Sequence, residues 1–131
     1  MFSSEIVIRS TRNVEFIDIT SKLQEAVSAS GVKEGVCLVY VPHTTAGVTI
    51  NENADPSVVM DIINKLSELV PQSSAYKHTE GNAPGHIKST LVGCSVSIPV
   101  SGGKLMLGTW QGVFFCEFDG PRQRRVVIRV F

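Results

Sequence analysis

The 131-residue chain has no excess of charge of either sign, because twelve basic and twelve acidic residues cancel. With no net positive field, neither nucleic acid nor an anionic membrane is expected as its principal partner. Weak self-repulsion at zero net charge instead favours association between copies. The chain also lacks any apolar run long enough to span a bilayer. "MFSSEIVIRS" carries no charged segment leading into an apolar one, so a cytoplasmic protein is expected. Cysteine is scarce and odd in number, and Cys37, Cys94 and Cys116 are too far apart for a metal knuckle, so three buried, reduced thiols are expected. A Walker loop, a dinucleotide glycine fingerprint and a nucleophile elbow are all missing, which sets aside the motif-borne routes to nucleotide and acyl chemistry.

No linker, repeat or low-complexity tract divides the chain, and 43% hydrophobic against 18% charged residues is a globular balance, so a single domain over 1–131 is expected. "EIVIRS" and "VEFIDI" read as strands, and Thr20 is placed to cap a helix that runs through Ser30 to a stop at Gly31. "VCLVYVP" is nearly continuous in apolar residues, the pattern of a strand covered on both faces. Asp55 and Pro56 form a strong helix start, followed by a stripe of Val58, Val59, Ile62, Ile63, Leu66 and Leu69 that ends near Pro71. "GHIKSTLVG" reads as a third, shorter helix closed by Gly93. After it, "SVSIPV" alternates, "SGGK" reads as a hairpin turn and "KLMLGTW" returns, while Gly112 interrupts before "VFFCEF" and "RRVVIRVF" follows. The fold class expected is α+β: a β-sandwich-like, mostly antiparallel sheet with meanders in its second half, covered by two or three helices.

Polar groups concentrate in the connections. "VPHTTAGVTINENADPS" carries His43, several hydroxyl and amide side chains and two acids, and polar groups without partners are costly to bury. His78 sits in "YKHTEGN", and His86 opens the third helix, so all three histidines lie off the periodic apolar faces. Imidazoles suit zinc and related ions, yet the spacing of these three matches no local motif, and surface or capping histidines are the simpler reading of it. Asp55 reads most simply as an N-cap. Glu52 has no such structural role and can orient a ligating imidazole or act as a general base, or be an exposed loop acid. Trp110, in "GTWQG", reads as a packing or interface residue. Arg122, Arg124 and Arg125 follow the turn at Asp119, Gly120 and Pro121, where they can grip phosphate, stay solvated or pair with acids. These features support a small-molecule site without naming its ligand.

"PHTTAGVTINENADPSV", "YKHTEGNAPGHIKSTLVG" and "LGTWQGVFFCEFDGPRQRRV" together resemble the YjbQ-like family, often labelled secondary thiamine-phosphate synthase. The resemblance covers nearly the whole chain, in three long motifs in order. It implies a YjbQ-like fold, a homotrimer, and a polar pocket near a subunit boundary that gathers the three motifs. His43, His78 and His86 are then the implied ligands of a divalent metal ion. Zinc is the ion imidazoles favour; magnesium is expected only if the thiamine-phosphate synthase label holds, since it prefers oxygen ligands. Glu52 and His43 are the implied catalytic groups. Thr44, Thr45, Asn51, Asn53, Glu80, Asn82, Thr109, Gln111 and Arg122 are the implied contacts to a small phosphorylated metabolite. The implied activity joins a pyrimidine pyrophosphate to a thiazole phosphate. A metal-assisted hydrolase and a non-catalytic trimeric binder of metal or metabolite are the alternatives.

Overall fold

A computed structural model describes residues 1–131. In chain order the elements are β1 (Phe2–Arg9), β2 (Glu15–Asp18), α1 (Thr20–Ser30), β3 (Gly35–Tyr40), β4 (Ala46–Glu52), α2 (Pro56–Leu69), α3 (Ala83–Val92), β5 (Ser95–Ser101), β6 (Lys104–Leu105), β7 (Gln111–Glu117) and β8 (Gln123–Val130). The class is α+β, as expected. Two sheets, one of five strands in the order β1-β8-β3-β5-β6 and one of three in the order β2-β7-β4, face each other as a sandwich. Every pairing is antiparallel.

Period-2 alternation builds the core. Cys37, Val39, Ile98, Val100, Val126, Ile128 and Val130 point inward from the larger sheet, against Val48, Val113 and Phe115 of the smaller one. α1 adds Leu23, Ala26 and Val27 to this cluster. The opposite face of the smaller sheet presents Phe114 and Cys116, with Phe118 just beyond β7, and here Val59 and Leu66 of α2 and Val92 at the end of α3 pack on it. β7 is therefore apolar on both faces, and its seven residues read "QGVFFCE".

Several expectations need correction. The second half is not a meander: β5 and β6 are the only sequential strands that pair, and β8 inserts between β1 and β3. β3 is covered on one face only, with Val36 and Leu38 half-buried and Tyr40 exposed on the other. Gly112 lies inside β7 rather than interrupting it, and the return strand β6 is only two residues long. Thr20 does not cap α1. Asp18 accepts from both the Thr20 amide and its hydroxyl, while Thr20 Oγ1 accepts from the Val113 N–H of β7. α3 starts at Ala83, so His86 is its fourth residue and not its first. Cys37 and Cys116 are buried, but Cys94 is exposed. Burial raises the Cys37 thiol to about 11 and pushes that of Cys116 up further, so both stay protonated.

Other local signals translate directly. Asp55 accepts from the Ser57 N–H and caps α2, with Pro56 behind it. Gly31 ends α1 at a positive φ of 72°. Gly102 and Gly103 turn the β5–β6 hairpin at φ 59° and 75°, a conformation that side chains with a Cβ rarely adopt.

Candidate functional site

The connection from β3 to β4 carries Pro42, His43, Thr44 and Thr45 past the end of the smaller sheet. α3 is held against this connection by close backbone approach. A Cβ on Gly85 would meet the Phe118 carbonyl oxygen at 2.9 Å and Thr45 Cβ at 3.4 Å, so only glycine lets the first turn of α3 dock there. Ser89 Oγ donates to the Thr44 carbonyl at 2.8 Å, and the Val48 N–H donates to the Gly93 carbonyl at 3.1 Å. The outcome is one cavity of ≈ 420 Å³ lined by Pro42, His43, Thr44, Thr45, His78, Glu80, Asn82, His86, Asp119, Arg122 and Arg124, without a hydrophobic side chain. It brings all three histidines together with Thr44, Thr45, Glu80, Asn82 and Arg122 from the expected contacts.

A buried ion pair forms its floor. Glu117 is fully buried and Arg124 is 5% exposed. Arg124 Nε donates to both Glu117 oxygens at 2.9 and 3.2 Å, and its Nη2 donates to Glu117 Oε2 and, at 2.8 Å, to Thr45 Oγ1. Glu117 also accepts from Ser10 Oγ at 2.7 Å and from the Asp119 N–H at 3.0 Å. Burial works to raise the Glu117 pKa, but the hydrogen bonds from Arg124, Ser10 and Asp119 and the charge of Arg124 win and hold it below the usual carboxylate value. Asp119, next along, accepts from Asn82 Nδ2 at 2.9 Å and from Arg122 Nη2 at 3.0 Å, which fixes the rim.

His43 and the other two histidines are held differently. The Arg125 N–H donates to His43 Nε2 at 3.0 Å, so in the neutral ring Nδ1 carries the proton. Burial, followed by the charge of Arg124, lowers the His43 pKa and favours that neutral ring. His78 and His86 stand edge to face with centroids 5.1 Å apart. This is the geometry of edge-to-face ring packing, with both imidazoles at the pocket wall. No three ligand-type side chains converge on one point. The expected three-histidine ligand set is thus not assembled within the chain, and His43, with Nε2 taken, is a hydrogen-bond donor rather than a third ligand.

The remaining expected contacts lie elsewhere. Glu52 ends β4, six residues beyond Ala46, which at about 3.3 Å per residue is roughly 20 Å away along the strand. It lines a separate cleft with Arg12, Asp18, Asn53 and Asp55, so it is no general base for the histidine pocket of its own chain. Asn51 accepts from the Glu52 N–H, and Asn53 donates to Asp18 Oδ2. Gln111 pairs with Glu52 in register and accepts from the Gly108 N–H; Thr109 is exposed beside Trp110, itself 63% exposed. Within one chain these residues do not wall the histidine pocket: they occupy the far end of β4 and β7. Two residues that build the pocket, Glu117 and Asp119, were not singled out as ligand contacts from the sequence.

Acid destabilisation follows from these shifts. Both Glu117 and His43 have folded pKa values below their ordinary ones of 4.5 and 6.5. A lowered value contributes stability that is full above the unfolded pKa and is lost as pH falls through the folded one. The protein is therefore expected to lose stability below pH 6.5 as His43 charges, and again below 4.5 as Glu117 protonates. Urea midpoints measured for wild type and His43→Gln between pH 7.5 and 5 check the first step. Parallel pH slopes for the two proteins would remove His43 from it.

The comparisons with known proteins agree with this architecture. The family described as UPF0047 protein YjbQ-like matches residues 4–131. UPF0047 protein MJ1081 of Methanocaldococcus jannaschii is 55% identical over 123 residues, covering 94% of this chain and 89% of its own. UPF0047 protein YugU of Bacillus subtilis is 47% identical, covering 94% of each. The crystal structure of an uncharacterised yjbq/upf0047 family protein from Clostridium acetobutylicum superposes with a TM-score of 0.96 at 49% identity, over 98% of this chain and 99% of that one. Hypothetical protein APE1520 of Aeropyrum pernix gives 0.95 at 40% identity, over 100% and 98%. With nearly its whole length matched at these identities, the chain belongs to the YjbQ-like UPF0047 family.

Proposed function

We propose that the histidine pocket binds a small phosphorylated metabolite beside a divalent metal ion, and that the protein is an enzyme acting on that metabolite. The observation that carries this reading is the wall itself: three histidines, Glu80, Asn82, Asp119 and two arginines around one cavity with no hydrophobic side chain. So many hydrogen-bonding groups converging on a concave surface match the polar end of a ligand rather than unused core. His78 and His86 would hold the ion, zinc by the chemistry of their donors, with Glu80 beside them. Such an ion supplies positive charge against phosphoryl oxygens. Arg122 is half-exposed and can turn its guanidinium to a phosphate, while His43 donates from Nδ1 and the Thr44 hydroxyl offers a further contact.

A thiamine-phosphate synthase type of condensation, which expels pyrophosphate, makes demands of this kind, and magnesium would be its usual ion. A hydrolase using Glu52 as base loses its support, since that carboxylate lies in the other cleft. A non-catalytic binder of metal or metabolite is the second reading, since the same polar wall serves binding without turnover. Assembly as a homotrimer is part of the proposal. The uncovered face of the larger sheet, where exposed Tyr40 registers with half-buried Val127, supports association. No helix is long and apolar enough to cross a membrane. Free cysteines, one of them exposed, favour a reducing, cytoplasmic setting.

Native mass spectrometry of protein purified without added metal, then supplied with zinc, reads chain number and metal content together. Three chains with about one ion each, the ion lost in His78→Ala/His86→Ala, is the expected result. A metal-free spectrum for both proteins after reconstitution would leave only the binder, and a single chain would remove the assembly. With inorganic pyrophosphate as probe, Arg122→Ala is expected to weaken binding about tenfold, the scale of one hydrogen bond to a charged group.

A further inference from the structure

Three charged residues of the chain are buried: Glu117, Arg124 and Lys88. The first two neutralise each other. Lys88, on α3 and only 6% exposed, joins none of the ion pairs and donates no hydrogen bond. Lysine is almost never buried without a partner, because an isolated ammonium loses several kcal/mol of hydration. Its stem is not simply lost in the core either. Lys88 lines a second cavity of ≈ 270 Å³, between the C-terminal end of α2 and the first turns of α3, whose polar walls include Asn13, Ser67, Gln72, Asn82 and Asp119. Asp119 is the one acid there, and its Oδ2 already accepts from Asn82 and Arg122.

Asn82 lines this cavity and the histidine pocket alike. Asn82 Oδ1 is the single buried side-chain oxygen or nitrogen left without a hydrogen-bond partner. Asn82 stands at the N-terminus of α3, where the helix presents its positive end, and its side chain makes no capping bond. A lysine without an ionic or hydrogen-bonded partner, its stem buried and its amine open to a polar cavity at the start of α3, is complementary to an anion.

We propose that this cavity is an anion site, distinct from the histidine pocket, in which Lys88 grips the carboxylate or phosphate of a small molecule. Asn82 and Asp119 form the wall between the two cavities, so occupancy of one bears on the position of groups lining the other. Burial lowers the Lys88 pKa, and a bound anion would act in the opposite direction. The inference does not depend on a metal or on the activity proposed above.

The test is amide chemical-shift mapping on the wild-type protein and on Lys88→Met, with inorganic phosphate, glycerol 3-phosphate and glycolate as probes. Saturable shifts at Gly81, Ala83, Gly85 and Lys88 in the wild type, absent in Lys88→Met, are expected. Response to glycolate alone assigns a carboxylate ligand; response to the phosphates assigns a phosphate ester. Lys88→Met, which replaces an unpaired buried charge by an apolar chain of similar shape, is expected to raise the thermal midpoint of the unliganded protein by a few degrees. Identical shifts in both proteins, or no movement of these amides with any probe, would overturn the proposal. If Lys88→Met does not fold, the wild-type map decides alone.

Discussion

Arg124→Met is expected to cost about 3–5 kcal/mol, because it strands the buried Glu117 carboxylate without its counter-charge. Single domains are stable by only about 5–15 kcal/mol, so this is a large part of the total. The loss is not confined to one contact. Glu117 gathers Ser10 from the connection before β2, Arg124 from β8 and the Asp119 amide, and Arg124 in turn holds Thr45 at the end of the β3–β4 connection. Removing the guanidinium leaves Ser10 and Asp119 to solvate the charge and frees the floor of the histidine pocket. Glu117→Gln/Arg124→Met, which removes both charges, is expected to recover part of the loss, since two neutral side chains carry no unpaired ion. Urea denaturation of the two variants decides. A single variant within about 1 kcal/mol of wild type would mean that water reaches the pair and that it does not organise the pocket.

Phe115→Ala is the second large effect, at about 3–5 kcal/mol for an aromatic ring removed from a sealed core. Phe115 is fully buried between the two sheets, on the central strand of the smaller one. Its neighbour Phe114 points the other way, into the three-residue cluster beneath α2. α2 buries none of its own residues fully, and Met60 and Leu69 are 60% and 64% exposed. The cover over Phe114 is therefore loose and can settle after truncation, so Phe114→Ala is expected to cost clearly less than Phe115→Ala. Equal losses in a denaturation series would show that α2 is as tightly packed as the interior of the sandwich.

Much of this architecture was legible where local chemistry decides it. Asp55 with Pro56, Gly31 and the paired glycines at 102–103 each demand one backbone conformation, and each marks the boundary it was expected to mark. Strand order was not legible, because alternation identifies a strand without naming its neighbours. Consecutive strands suggested a meander, whereas long-range pairing places β8 between β1 and β3. The continuous apolar run of β3 suggested cover on both faces, yet its outer residues are the half-buried Val36 and Leu38 and the exposed Tyr40. The three histidines could be drawn to one site only through the family resemblance of their motifs, since their spacing alone matches no local ligand pattern. Glu52 could not be placed correctly, because "NEN" reads as part of a single polar segment until β4 carries it to the far end of the sheet. A signal for the pocket floor was present but unused. In "RRVVIRV" Arg124 shares the inward phase of Val126, Ile128 and Val130, and an arginine in that phase requires a buried acid. Lys88 left no such mark, since one lysine in a short helix is ordinary until its surroundings are known.

The insertion of β8 between β1 and β3 also orders events during synthesis. β1 and β3 leave the ribosome first and stay apart, each with an open hydrogen-bonding edge, until β8 has been translated and can pair with both. The nascent chain can close its smaller sheet once β7 is made, but the larger sheet is stitched only afterwards. Arg124 arrives with that last strand, so the counter-charge for Glu117 and the floor of the histidine pocket are completed in the same step that joins the sheet. Until then the buried carboxylate has no cation, and a half-made chain has every reason to leave its histidine pocket unformed.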